Sequence, residues 1–133
     1  MSLTQELIRD HQALFALLDE VRDLGIGKAA GRNKLMGAKK LFLAHLAKED
    51  RHLYPKLEQA AKQDRQLETL YSGFASEMEE ISRFAVEFFE HPWAESERME
   101  FAKKFGRLYV ILRQRMSREE SALYPEFDKL ARS

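Results

Sequence analysis

Apolar residues recur every three or four positions along four separate stretches of this chain, and nothing else in the sequence constrains its fold as tightly. The first stretch reads Leu7, His11, Leu14, Leu18, Val21, and the second Leu35, Ala38, Phe42, His45, Glu49, then His52 or Leu53. The third reads Leu67, Leu70, Phe74, Met78, Ile81, Ala85, Phe88, and the fourth Phe101, Phe105, Leu108, Leu112, Arg115, Glu119, Ala122. With about 3.6 residues per helical turn, such steps line one helix face, the face a bundle buries. Six glycines and three prolines leave few places to break the chain. Glycine, proline and capping side chains gather in LGIGKAAGRN (24–33), KQDRQ (62–66) and HPWAES (91–96), which end and start helices. The sequence therefore predicts helices over 3–24, 32–62, 65–90 and 96–131. Short connections make sequential helices antiparallel neighbours, so the expected fold is all-α, an up-down-up-down antiparallel four-helix bundle filling a single domain over 1–133.

Polar residues interrupt three of the stripes, at His11, at His45 with Glu49, and at Arg115 with Glu119, while the third stripe stays apolar. Two of these interruptions belong to a repeated phrase. HLAKEDRHLYP (45–55) and RMSREESALYP (115–125) end on the same Leu-Tyr-Pro, and laying Pro55 on Pro125 puts Glu49 on Glu119 and His45 on Arg115. LIRDHQALFALLDEV can likewise be laid on FASEMEEISRFAVEF, pairing His11 with Met78. The chain reads as two helical hairpins, about 3–62 and 65–131, facing a shared interior.

Bulk composition narrows the function classes. Lysine plus arginine number 22 and aspartate plus glutamate 22, so no net field gathers nucleic acid or an anionic membrane, and neither is an expected partner. Without cysteine there are no disulfides and no thiolate-ligated metals; any metal must use histidine and carboxylate, and the reducing cytoplasm is the expected location. MSLTQELIRDHQ lacks the basic start and unbroken apolar run of a secretion signal, and no segment approaches a membrane span. There is no nucleophile motif, no acid and base paired outside the polar cluster, and no glycine-rich phosphate loop, so the protein is not expected to be an enzyme.

The cluster itself has the chemistry of a metal site. Side chains at i and i+4 share a helix face, so His45 and Glu49 project together and can grip one ion. Imidazole with carboxylate suits iron, zinc or manganese, and bundles build such sites from inward residues on facing helices. His11 would supply the ligand from the neighbouring helix and Glu119 a fourth or bridging one. The plainer alternatives are a hydrogen-bonded core histidine at 11 and solvent-facing carboxylates at 49 and 119. Against the second stands the high cost of a buried carboxylate lacking a cation or several hydrogen bonds. His52 lies one further turn along nearly the same face, as a ligand or an outer neighbour. With Glu49 it spells E-x-x-H, the ferritin-like di-iron spacing, although the second copy offers Ala122 there. His91, beside a proline, reads as an exposed helix end, Met78 as core, and Tyr54 and Tyr124 as amphipathic packing. Arg115 either snorkels to water or stands as a fixed cation where a second metal's histidine would be, its fork holding Glu49, Glu119 or both.

Taken together, Asp10-His11, His45 with Glu49 and its LYP, and Glu119-Glu120 with the second LYP resemble the hemerythrin-like HHE cation-binding domains, along essentially the whole chain. Members of that family are four-helix bundles whose complete forms hold two irons through histidines and bridging carboxylates, and which bind oxygen or serve iron handling and redox or oxygen sensing. The resemblance implies that His11 and His45 serve one metal, with Glu49 and a fourth-helix carboxylate as bridges. That carboxylate is Glu119 by the internal repeat or Glu120 by the longer spacing some members use. Histidines would be expected near 78, 82 and 115, where this chain has Met78, Ser82 and Arg115. The expected cofactor is thus one iron rather than two, with zinc or no metal as alternatives, and the expected small ligand a diatomic molecule. The competing expectation is a metal-free regulatory bundle that binds another macromolecule.

Overall fold

A computed structural model describes residues 2–132, and these form helices without a strand. Helix α1 (Leu3–Leu24) is followed by α2 (Ala29–Lys48), which runs through a wide turn at Glu49–Leu53 into α3 (Tyr54–Ala61). Helix α4 (Arg65–Glu90) leads through a short 3-10 turn at Glu95–Glu97 to α5 (Arg98–Arg118), which passes through a second wide turn at Glu119–Leu123 into α6 (Tyr124–Arg132). Four rods result: α1, α2 with α3, α4, and α5 with α6. Packing of α1 on α2, α3 on α4, α4 on α5 and α6 on α1 closes them into the expected four-helix bundle. The expected domain limits, 1–133, reach Met1 and Ser133, which lie outside the described residues. Among the described residues no helix is long and apolar enough to cross a membrane.

Local chemistry sets the helix ends. The Ser2 hydroxyl accepts from the Gln5 backbone N–H while the Gln5 side chain accepts from the Ser2 N–H, a reciprocal cap for α1. Asp64 caps α4 by accepting from the Leu67 N–H. At Gly25 the backbone reaches φ 74°, and its N–H closes α1 on the Val21 carbonyl. Gly31, in the first turn of α2, approaches this corner so closely that a β-carbon would fall 1.7 Å from the Gly25 carbonyl oxygen. Helix α2 starts at Ala29, earlier than the expected residue 32, so that Gly31 lies within its first turn.

The two wide turns account for the repeated phrase. In each, the tyrosine N–H bonds five residues back rather than four, Tyr54 to the Glu49 carbonyl and Tyr124 to the Glu119 carbonyl. Pro55 and Pro125 follow directly. Proline has no N–H to give the carbonyl four residues back, and its ring crowds that carbonyl, so the helix widens by one residue just before it. The extra residue shifts the face that follows: Leu53 and Leu123 become buried, whereas His52 is exposed and Ala122 only half-buried.

The core is layered. One apolar cluster, with Leu14, Leu18, Phe42, Phe88, Phe105 and Leu112, fills the end near the α1–α2 corner, and a second, with Leu7, Leu53, Leu57, Phe74, Leu123 and Phe127, fills the other. Between them lies a polar layer of His11, His45, Glu49, Arg115 and Glu119, each no more than 2% exposed.

Candidate metal centre

All four residues expected to hold a metal meet in this layer. His11 on α1 and His45 on α2 point their Nε2 atoms at each other, 3.2 Å apart. Their outer nitrogens are engaged: His11 Nδ1–H donates to Glu120 at 2.7 Å and His45 Nδ1–H to Asp10 at 3.1 Å, with Lys48 Nζ holding Asp10 at 3.0 Å. A carboxylate on the far nitrogen selects the tautomer whose near nitrogen presents a lone pair inward. Two inward lone pairs at this separation need a proton or another cation between them. One turn beyond His45, Glu49 Oε1 lies 3.5 Å from its Nε2. Glu49 Oε1 and Glu119 Oε1 are buried without a hydrogen-bond partner.

The charge states follow from burial and neighbours. Burial pushes His11 below the ordinary histidine range, against the pull of Glu120, and the neighbouring His45 adds to the lowering. Burial acts downward on His45 too, but Glu49 and Asp10 outweigh it and raise it. Of the two imidazoles, His45 is therefore the one whose neighbours favour the protonated form. Glu49, although burial opposes its charge, is drawn down to about 2 by the neighbouring His45, by Glu119 and by the Tyr124 hydroxyl. Glu119 moves the other way, raised well above the usual carboxylate range by burial and then by the Glu49 charge. The two glutamates thus hold one proton as a pair, the arrangement expected of adjacent buried carboxyls.

The opposite half of the layer carries no histidine. Here Arg115 stacks its guanidinium 4.2 Å from the centre of the Phe74 ring, donates to the Phe74 carbonyl, and reaches Glu77 at 3.1 Å. Arg118 joins Glu77 at 2.6 Å. The fork therefore grips α4, neither reaching out to water nor clamping Glu49 and Glu119, the two alternatives the sequence leaves open; Glu77, half-exposed, can meet a guanidinium with less loss of hydration. Buried Met78 and half-buried Ser82 fill the positions where further histidines were expected.

Between the two candidate fourth-helix carboxylates the geometry divides the roles. Glu119 points inward, fully buried, beside Glu49; Glu120 is half-exposed and braces His11 from outside. Exposed His52 stands outside the cluster, which also removes the E-x-x-H reading. His91 is exposed, as expected, and pairs with Glu97 at 2.8 Å. Sequence reasoning missed Tyr124. Read as packing, it is buried with its hydroxyl 2.9 Å from Glu49 Oε2, 3.4 Å from Glu119 Oε2 and 3.2 Å from His11 Nε2. The signal was the repeated Leu-Tyr-Pro itself, whose tyrosine follows the widened turn and is swung back over the glutamate that begins it.

The donors fit a cation in charge, in their inward lone pairs and in spacing, since two ligands of a four-coordinate ion bonded at about 2.0–2.1 Å stand about 3.3–3.4 Å apart. Among the described residues, however, no group of three or more histidine, aspartate or glutamate side chains converges closely enough to make a metal set by itself. A surface cavity of about 310 Å³, lined by His11, Phe15, Arg113 and Glu120 among others, leads to this side of the layer.

Comparison with known families gives a match over residues 2–127 to the hemerythrin HHE cation-binding domain, and the chain belongs to that family. No curated protein and no solved structure matches it. The protein is a helical, cation-binding domain of the hemerythrin type.

Proposed function

We propose that this domain holds one divalent cation, iron in the first place, through His11, His45, Glu49 and Glu119, and works in iron handling or in redox or oxygen sensing without being an enzyme. The observation that carries this reading is the pair of buried imidazoles facing each other at 3.2 Å, each locked from behind by a carboxylate, beside a Glu49 oxygen with no hydrogen-bond partner. Iron held there would supply one-electron redox chemistry and affinity for a small diatomic ligand. Asp10 and Glu120 orient the imidazoles, Lys48 holds Asp10, and the widened turns deliver both glutamates to the same level. The apolar clusters above and below exclude water. Arg115 fills the other half with a fixed positive charge, so reversible oxygen binding between two irons is not the function proposed. Zinc satisfies the same donors.

A second reading, a metal-free bundle that binds a macromolecule, is favoured by the absence of a three-residue imidazole and carboxylate set among the described residues. Metal content and the visible spectrum of protein made in iron-supplemented medium separate the two. Stoichiometric iron, lost in His45→Ala, supports the first; a colourless protein equally stable with chelator supports the second.

A further inference from the structure

The Tyr124 hydroxyl completes a ring that the histidines and Glu49 leave open. His11 Nε2 lies 3.2 Å from His45 Nε2, His45 Nε2 lies 3.5 Å from Glu49 Oε1, Glu49 Oε2 lies 2.9 Å from the Tyr124 oxygen, and that oxygen lies 3.2 Å from His11 Nε2. Three of the four separations are close to the edge length expected around one four-coordinate ion, about 3.3–3.4 Å; the fourth is the 2.9 Å hydrogen bond that an ion would replace, and Glu49 meets His45 through one oxygen and Tyr124 through the other. The phenol is also placed for the task. Tyr124 is 1% exposed, stacked on the His11 ring at 5.7 Å, and set by the turn that Pro125 imposes. Tyr54, its counterpart in the repeat, is half-buried, and its buried hydroxyl has no hydrogen-bond partner.

We infer that Tyr124 is a ligand of the ion this site holds, a phenolate that makes His11, His45, Glu49 and Tyr124 the four-donor set, with Glu119 alongside. The inference rests on the proposed metal site and names its missing donor. On binding, the O–H bond of Tyr124 breaks, the proton leaves for solvent, and an oxygen lone pair is given to the ion; no electron changes hands. A phenolate is a hard, anionic donor, so the set should favour ferric over ferrous iron.

Ferric iron, presented to chelator-stripped protein as a weak chelate, is the direct probe. The wild-type protein should bind one equivalent and develop a visible phenolate-to-iron charge-transfer band, with tyrosinate vibrations enhanced in resonance Raman spectra excited in that band. Tyr124→Phe should lose the band and bind the ion at least tenfold more weakly; Tyr54→Phe should keep both. Calorimetry with zinc in buffers of different ionisation heat should count one more proton released by wild type than by Tyr124→Phe. Four results overturn the inference while leaving the metal site standing: iron-loaded wild type without the band, a band lost in Tyr54→Phe, a band kept in Tyr124→Phe, or Tyr124→Phe binding as tightly as wild type or tighter, which would make the phenol a plug. The first two do not depend on the Tyr124 variant folding. A wild type that binds no ion overturns both the inference and the site.

Discussion

The carboxyl pair at the heart of the layer makes an unusual prediction: removing one of its acids stabilises the metal-free protein. Glu119 is fully buried beside an ionised Glu49, and both burial and that charge raise it well above its ordinary value of 4.5. A raised carboxyl is protonated in the fold at a pH where it is ionised in the unfolded chain. Its contribution to stability is complete below about pH 4.5 and is lost as pH rises towards its folded value, at about 1.4 kcal/mol per pH unit for one proton. In Glu119→Gln the amide has the same shape and can donate to Glu49 as the protonated acid does, but needs no proton from solution. The stability of the variant relative to wild type should thus climb with pH, by about 3 kcal/mol between pH 5 and pH 7 if Glu119 stays protonated across that window. The histidines contribute pH dependence to both proteins, so the difference isolates Glu119. Urea unfolding followed by circular dichroism at pH 5, 6 and 7, with chelator throughout, reads it out. A difference independent of pH, or one that turns against the variant as pH rises, would refute a Glu119 that shares the proton of Glu49. Saturating metal should reverse the order, because the amide is the poorer donor for a divalent cation.

Other predictions bear on the rest of the layer. Arg115→His combined with Met78→His should raise bound metal above that of wild type in elemental analysis; unchanged stoichiometry would mean that Arg115 does not stand in for a second ion. Pro125→Ala restores an N–H at 125 and lets the turn at Glu119–Leu123 tighten. Metal affinity should then fall by about tenfold or more, the scale on which loss of a ligand-orienting contact acts, as measured by competition with a chelating dye. Gly31→Ala should destabilise the α1–α2 corner without changing metal stoichiometry, since its β-carbon collides with the Gly25 carbonyl far from the polar layer. A thermal melt and a metal count check both halves of that statement.

Much of this was legible in the chain. The stripe Leu7, His11, Leu14, Leu18, Val21 is buried residue for residue, because α1 is a regular helix and its sequence period is its structural period. The inward direction of His45, Glu49, Arg115 and Glu119 followed from the same spacing. The stripes failed where proline changed the period. Each widened turn inserts a residue that a 3.6-residue count does not contain, so the sequence period does not separate Leu53 from His52, points to Ala122 where Leu123 is buried, and gives Tyr124 no place in the polar layer. Partners joined across the bundle were out of reach for another reason. That Arg115 turns to Glu77 and Phe74, or that Glu120 braces His11, depends on which flank of each rod faces its neighbour, and one sequence carries no such pairing.

The central claim is one ion on the His11 side of the layer, with a guanidinium on the other. Anomalous diffraction at the iron edge, on crystals of the protein grown after loading with iron, tests it most directly. The account predicts a single peak within bonding distance of His11 Nε2, His45 Nε2 and Glu49. No peak, a second peak between Met78 and Arg115, or a lone peak away from the two histidines would contradict it.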